Sequence, residues 1–325
     1  MKNWNAAGAS LIAIACAGSG ATGAAWAQTF PSRAITVVVG SSPGSTTDGL
    51  ARAIAQEVTA ATKQPVIVEN KPGGSGGIAA QSVARAAPDG YTVFMTTNTT
   101  QAANPFLFKK LTYDPVKDFT PVGLLVKGYL LMVTHPSVKA KTVSDFIALA
   151  KKEPGKLTFG SGSSSARVAG ELFQQMTGVR MTHVPYKANP NAVLDLVGGQ
   201  IDMMIVDLTT SLPQVRSGRL HALGVTSMQR SPLVPDLPTL NESGLPNYQI
   251  SYWNALYAPA NTPEPVVKTL NELMQKAMQS DAVKRFVVQN GMEVFTSSPE
   301  ELKQFQAVEL ERWGKIIRAA GIEAE

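Results

Sequence analysis

The stretch AITVVVGSSPGSTTD, residues 34–48, decides the fold of this chain of 325 residues. Its first six residues are mostly apolar and β-branched, which is typical of a buried strand. A loop of glycine, serine and proline follows, and beyond it Leu50, Ile54 and Val58 recur at helical spacing. The stretch therefore predicts a strand, a tight loop and a helix, which together form the first half of a βαβ unit.

The same alternation of strand and helix continues outward from this stretch. Helical patterns, such as Leu172, Phe173 and Met176, separate short β-branched runs. The alternation predicts an α/β fold with a parallel sheet, whose ligands bind in loops after the carboxyl ends of the strands. The predicted strands are Ala34–Val39, Val66–Val68, Tyr91–Thr96, Leu130–Thr134, Leu157–Gly160, Thr182–Val184, Ile201–Val206, Ala222–Thr226 and Ala255–Ala258.

The clearest single helix lies near the end of the chain. Ser298, Pro299 and Glu301 supply a capping hydroxyl, a proline at the first helical position and a carboxylate three residues after the serine. Trp313 lies in the apolar stripe that follows, and such a stripe packs in a core more often than it lines a cofactor site. We therefore predict a capped helix with a structural tryptophan.

Composition and charge exclude several classes of protein. With 44% hydrophobic and 16% charged residues and a mean hydropathy of zero, the chain is typical of a folded globular protein with room for two domains. Its net charge of +5 is not concentrated in a basic block, so nucleic acid is not an expected partner. One cysteine and three histidines, none at metal-ligand spacing, predict no metal site, no cofactor and no thiol catalysis.

Residues 1–27 are typical of a cleavable secretory signal peptide. Lys2 precedes an apolar stretch at 6–25, and the triplet AWA at 25–27 fits a cleavage site with small residues. Cys16 lacks the leucine that usually stands three residues before a lipoprotein cysteine. We therefore expect cleavage after Ala27 and export of the mature protein.

The loop at residues 40–48 has the chemistry of an anion site. Small residues let a ligand approach the backbone, and the hydroxyl and N–H groups at a helix start favour a carboxylate or phosphate. The loop lacks the lysine of a P-loop and the glycine spacing of a dinucleotide site. A plain turn capped by threonine or aspartate is the alternative. The candidate ligand-binding residues here are Ser41, Ser42, Gly44, Ser45, Thr46 and Thr47.

A second such loop, GSGSSSAR at residues 160–167, follows another predicted strand. It falls one glycine short of the nucleophile elbow, so an exported α/β serine hydrolase using Ser164 is an alternative function. Such an enzyme needs a histidine base, and nothing in the sequence points one at Ser164. An anion site, in which Arg167 binds a carboxylate in a bidentate way, needs fewer assumptions. The candidates are Ser161, Ser163, Ser164, Ser165 and Arg167.

Two further side chains stand directly after predicted strands. Asn98 and Asp207 lie where loop ligands are expected in an α/β fold, although capping or turn formation explains them equally well. The glycine-rich loop at 71–77 is interpreted as a tight turn into a helix.

Nine segments, in order and at near-family spacing between Phe30 and Ile322, resemble the Bug family of extracytoplasmic solute receptors. Two departures concern the proposed loops. Gly40-Ser41-Ser42 stands where the family usually has Pro-Phe, and Arg167 stands where histidine is common. The segments are residues 31–39, 43–48, 68–73, 87–91, 113–119, 183–187, 198–202, 237–239 and 258–259.

This resemblance implies a two-domain periplasmic binding protein of the type II-like α/β class. Each domain is then a sheet flanked by helices, with the ligand cleft between them. The expected domains are residues 28–127 plus 251–325, and residues 128–250. The loops Ser41–Thr47 and Ser161–Arg167 would reach the ligand from opposite domains.

The function implied by the resemblance is capture of a small organic carboxylate. The ligand would be a monocarboxylate or dicarboxylate, aromatic ones included, and the receptor would deliver it as a monomer to the membrane subunits of a tripartite tricarboxylate transporter. No catalytic residue and no cofactor is expected. Besides the hydrolase, the open alternative is a receptor that presents its ligand to a sensor protein.

Overall fold

The computed structural model describes Met1 and residues 30–325. Apart from Met1, the signal peptide predicted at 1–27 lies outside the described residues, together with its cleavage site and Cys16. The strands are β1 Ile35–Val39, β2 Val66–Asn70, β3 Thr92–Thr97, β4 Phe119–Thr134, β5 Thr158–Ser161, β6 Thr182–Pro185, β7 Met203–Asp207, β8 His221–Val225, β9 Ser251–Pro259 and β10 Met292–Val294. The helices are α1 Thr46–Thr62, α2 Gly77–Ala84, α3 Asn104–Leu107, α4 Val143–Lys152, α5 Ser164–Thr177, α6 Asn189–Val197, α7 Leu208–Arg216, α8 Glu264–Met278, α9 Asp281–Gln289 and α10 Pro299–Ala319.

Two predicted local elements are confirmed in detail. Residues 34–48 form β1, a loop and the start of α1, and the Ser45 side chain caps α1 by accepting a hydrogen bond from the Asp48 N–H. At α10, Ser298 and Glu301 form the predicted capping box, in which each side chain bonds the other residue's backbone N–H. Trp313 is only 1% exposed, so it belongs to the core as expected.

The strands join in one mixed sheet, with the order β2-β1-β3-β9-β4-β7-β5-β6. Pairs β1–β2, β1–β3, β5–β6 and β5–β7 are parallel, as the alternation of strands and helices predicts. The expectation of a wholly parallel sheet is wrong, because β4 and β9 run antiparallel to every strand that they pair with. These two strands are the ones that lie in the middle of the sheet.

Strand β4 connects the two halves of the sheet. Its residues 119–129 pair with β9, and its residues 130–134 pair with β7 and β8. Strand β10 pairs with β4 at residues 126–128. We call β1, β2, β3, β9 and β10 the first sector and β5, β6, β7 and β8 the second sector, and assign each helix to the sector that it packs against. The two predicted domains remain a prediction; their proposed boundaries fall within β4 and at the start of β9.

A buried carboxylate connects α10 to strand β9 of the first sector. Glu309 is 3% exposed, and its Oε2 accepts hydrogen bonds from the indole nitrogens of Trp253 at 2.9 Å and Trp313 at 3.1 Å. Arg312 Nη1 lies 3.0 Å from the other carboxylate oxygen. This cluster positions β9 against α10, and β9 carries one wall of the site.

None of the described helices is both long and apolar enough to cross a membrane.

Candidate functional site

A cavity of about 100 Å³ lies between the two sectors. Its walls are formed at or just after the carboxyl ends of β1, β3, β5, β6 and β7, which is where an α/β sheet binds its ligands. The lining residues are Gly40, Ser41, Ser45, Thr46, Thr47, Ser75, Gly76, Met95, Thr96, Thr97, Thr99, Thr100, Leu130, Gly162, Ser163, Ser165, Lys187, Asn189, Asp207 and Tyr252.

The first sector contributes the N-terminal turn of α1. The Ser41 and Ser45 hydroxyls lie 2.6 Å apart, and Ser45 is the N-cap. Thr46 and Thr47 occupy the first helical positions, whose N–H groups have no acceptor within the helix. This end of the helix therefore presents N–H donors, hydroxyl groups and the positive end of the helix dipole to the cavity.

The second sector contributes the N-terminal turn of α5. Ser163 caps this helix by accepting a hydrogen bond from the Ala166 N–H, and both Ser163 and Ser165 line the cavity. Gly162 precedes the cap, where a Cβ would lie 2.0 Å from the backbone of Ala188. The absence of a side chain at Gly162 lets its N–H donate to Asn189 Oδ1 at 3.0 Å. Two helix N-termini therefore face one cavity, which suits an anion.

Direct hydrogen bonds between the sectors surround the cavity. Thr46 Oγ1 donates to Asp207 Oδ1 at 2.7 Å, and Asn98 Nδ2 donates to Ser165 Oγ at 2.9 Å. The Ser164 hydroxyl donates to Asn104 Oδ1, also at 2.9 Å. These three bonds connect the two sectors beside the cavity.

Asp207 is the most connected polar side chain of the cavity. Besides Thr46, its carboxylate accepts from Asn189 Nδ2 at 2.9 Å and from the N–H and hydroxyl of Thr210 at 3.1 and 2.9 Å. The Thr210 N–H bond makes Asp207 the N-cap of α7. The capping role that the sequence left open is therefore present, and the residue lines the cavity as well.

Seven of the residues predicted from the sequence lie together in the lining: Ser41, Ser45, Thr46, Thr47, Ser163, Ser165 and Asp207. Asn98 and Ser164 do not line the cavity; their side chains form hydrogen bonds between the sectors instead. Ser42 and Gly44 shape the turn before α1: the Ser42 carbonyl accepts from Ser45 N–H, and Gly44 adopts a φ of +80°.

The structure places Arg167 and Ser161 away from the lining. Arg167 Nη1 donates to the Glu325 carboxylate instead of facing the cavity. Glu325 in turn forms backbone hydrogen bonds with Leu107 and Lys109. The Ser161 hydroxyl lies 2.8 Å from His183 Nε2. We therefore leave both residues out of the ligand contacts proposed below.

Several lining residues were missed from the sequence. Lys187 ends the segment HVPYK, one of the nine segments that resemble the Bug family, but it was not predicted as a ligand contact. The threonines at 96–100 form a dense hydroxyl run after β3 that could have been noticed. Tyr252 gave no local signal, because it lies within strand β9 and reaches the cavity only through the pairing of β9 with β4.

His183 predicts a pH dependence of stability. Burial and the nearby charge of Arg167 lower the pKa of His183 from 6.5 to about 4. The unfolded chain binds this proton with an ordinary pKa, so the free energy of unfolding should decrease as the pH falls from about 6.5 to about 4. In His183→Asn, the urea concentration at the unfolding midpoint should depend less on pH over this range. The exposed His221→Asn is the control, and an unchanged slope in His183→Asn would contradict the assignment.

The described residues offer no support for metal or hydrolase chemistry in the cavity. Among them, no three histidine, cysteine, aspartate or glutamate side chains are grouped to hold a metal ion. The Ser164 hydroxyl bonds Asn104 and not a histidine, and Ser161 with its His183 partner does not line the cavity. The lining is suited to binding a polar anion.

Comparison with known proteins gives one family. The model described as tripartite tricarboxylate transporter family receptor matches residues 50–322. BugT of Bordetella pertussis is 33% identical over 314 residues, which are 96% of each chain. A protein of Agrobacterium vitis from the TAR-I ttuE-ttuC' intergenic region is 34% identical over 299 residues, which cover 90% of this chain and 86% of that protein.

Solved structures agree with these relatives. R. palustris Rpa4515 with adipate superposes with a TM-score of 0.89 at 34% identity, over 91% of this chain and 100% of that chain. MatC (Rpa3494) from Rhodopseudomonas palustris with bound malate gives a TM-score of 0.84 at 34% identity, over 89% and 100%. The periplasmic binding protein BugD gives 0.87 at 30% identity, over 91% and 100%.

Proposed function

The chain belongs to the tripartite tricarboxylate transporter receptor family, which includes the Bug proteins, and on this premise we propose that it captures a small organic carboxylate between its two sectors. The observation that carries the proposal is the convergence of the α1 and α5 N-terminal turns on one cavity between the sectors. Two similar proteins hold carboxylates, adipate in Rpa4515 and malate in MatC. Together these support an anion-binding receptor.

The proposed contacts come from both sectors. Ser41, Ser45, Thr46 and Thr47 would bind from α1, and Ser163, Ser165, Lys187 and Asp207 from the second sector. Lys187 is exposed while lining the cavity, so its ammonium group can meet the incoming carboxylate and remain beside it. Two domains, residues 28–127 plus 251–325 and residues 128–250, would close around the ligand with β4 and β9 crossing between them.

The rest of the functional assignment follows from the family. Its receptors are periplasmic binding proteins, so we propose export through the signal peptide at 1–27 and a monomer in the periplasm. The protein would act without catalysis and deliver its ligand to membrane subunits. Presentation to a sensor is the alternative, and loss of labelled-ligand uptake on deletion of the gene would favour delivery.

A thermal-shift screen followed by calorimetry on the mature chain tests the binding function. A carboxylate that binds the folded state should raise the melting temperature by mass action. Lys187→Met should then weaken its binding by about tenfold, because a charge-assisted contact is lost. Lys151→Met, at an exposed lysine of α4, is the matched control. If no monocarboxylate, dicarboxylate or aromatic carboxylate stabilises the protein, the proposed function is wrong.

A further inference from the structure

We infer that the ligand is a small hydroxylated monocarboxylate, whose carboxylate lies at the two helix N-termini and whose hydroxyl group binds Tyr252. This inference rests on the proposed function and narrows its ligand class. Three features of the cavity carry it: the balance of charge, an unpartnered tyrosine hydroxyl and the hydroxyl-rich wall.

The charge of the lining matches one carboxylate. Lys187 is the one cationic residue and Asp207 the one anionic residue among the lining residues of the described chain. Their charges cancel, and the two helix N-termini contribute about half a positive charge each. The hydrogen bonds from Thr46 and Asn189 hold the Asp207 carboxylate in the wall. A second ligand carboxylate would therefore have no cation left to pair with and would meet a fixed negative charge.

Among the residues that the structure describes, none forms a hydrogen bond with the Tyr252 hydroxyl. The residue is 6% exposed and lines the cavity, and the Thr46 and Thr209 side chains lie beside it without completing a hydrogen bond. Gly128 on the paired strand leaves room for the ring, because a Cβ there would lie 2.5 Å from the tyrosine oxygen. A buried hydroxyl without a partner is costly, and a ligand hydroxyl would satisfy it.

Burial keeps this hydroxyl a neutral donor. It raises the pKa of Tyr252, and the negative charge of Asp207 acts in the same direction. A neutral phenol both donates and accepts, so it can bond an alcohol in either direction, whereas a second carboxylate at this place would be repelled by the nearby charge of Asp207.

The remaining wall and the size of the cavity agree with a compact polar ligand. Thr96, Thr97, Thr99 and Thr100 add hydroxyl groups from the first sector. The volume of about 100 Å³ is small compared with sites for drug-sized ligands, which run from about 300 to 1,000 Å³. Hydroxyl groups on both sides favour a ligand that itself carries alcohols.

The test compares three acids at each chain length from three to six carbons: a hydroxylated monocarboxylate, its deoxy counterpart and the dicarboxylate of the same length. Calorimetry on the wild-type mature chain should rank the hydroxylated acid first. One neutral hydrogen bond predicts a preference of about 2- to 12-fold over the deoxy acid. Tyr252→Phe should abolish this preference and leave the affinity for the deoxy acid unchanged.

Tyr129→Phe is the control, since Tyr129 is half-buried on β4 and does not line the cavity. Asp207→Asn should raise the affinity for the dicarboxylate relative to the hydroxylated acid. The inference is overturned if the dicarboxylate or the deoxy acid binds wild type most tightly, or if Tyr252→Phe affects all three acids equally. The ranking of the three acids by their affinity for the wild-type protein tests the inference even if Tyr252→Phe fails to fold. Binding of none of these acids would also overturn the inference, whereas the proposed function fails only if no carboxylate in the wider thermal-shift screen, aromatic ones included, stabilises the protein.

Discussion

Glu309→Ala is expected to lower the free energy of unfolding by about 3–5 kcal/mol, mainly the cost of leaving two buried indole N–H groups without an acceptor. The carboxylate is 3% exposed and accepts from Trp253 and Trp313 through one oxygen and from Arg312 through the other. Its removal leaves two buried indole N–H groups without an acceptor and opens a cavity beside them. The measurement is urea unfolding followed by far-UV circular dichroism, because the tryptophan emission would itself change.

Two further variants sharpen this test. Glu309→Gln keeps one carbonyl oxygen as an acceptor but loses the charge, so its loss of stability should lie between wild type and Glu309→Ala. Glu311→Ala removes an exposed carboxylate that pairs with Lys315 on the same helix, and should change the free energy of unfolding by no more than about 0.5 kcal/mol. A loss below about 1 kcal/mol in Glu309→Ala would show that this cluster does not hold β9 and α10 together.

Asp207→Ala is expected to cost about 3 kcal/mol of stability, from one lost helix cap and the lost charge-assisted bonds. Its carboxylate caps α7 through the Thr210 N–H, holds Asn189 within the second sector and accepts from Thr46 across the cleft. The variant therefore weakens both the local helix and the contact between sectors. Urea unfolding of the ligand-free protein measures the change.

The controls separate these contributions. Asp207→Asn retains a side-chain oxygen for the cap and should lose less than Asp207→Ala. Asp236→Ala removes an exposed carboxylate from the loop after β8 and should be near neutral. If Asp207→Ala unfolds at the same urea concentration as Asp236→Ala, the network around Asp207 does not stabilise the folded protein.

Local elements of the fold could be predicted from the sequence, whereas long-range pairing could not. Apolar periodicity identified nine strands, and capping chemistry located the start of α10. The sequence shows an unusually long apolar and extended run at Phe119–His135 but predicts a strand only at Leu130–Thr134, whereas β4 begins at Phe119. Its first part is paired with β9, more than a hundred residues away, and no local pattern encodes such a partner.

In the candidate site, too, local features could be predicted from the sequence and long-range contacts could not. Ser41, Ser45, Thr46 and Thr47 were found because small residues and hydroxyls after a strand mark a loop that can meet a ligand. Arg167 also stands at a helix start, but its orientation depends on Glu325, which is 158 residues further along the chain. Loop chemistry can therefore be predicted locally, while the direction of a long side chain depends on its tertiary partner.

Strand β9 lies between β3 and β4, which follow each other in the sequence. During synthesis, the edges of β3 and β4 that face each other therefore stay unpaired until residues 251–259 have been made. Open edges are sites of intermolecular pairing, and contacts of such long sequence separation make folding slow. The half of the sheet that contains the earliest strands is consequently completed only after residues 251–259 have been made, and until then its unpaired edges favour pairing with other chains.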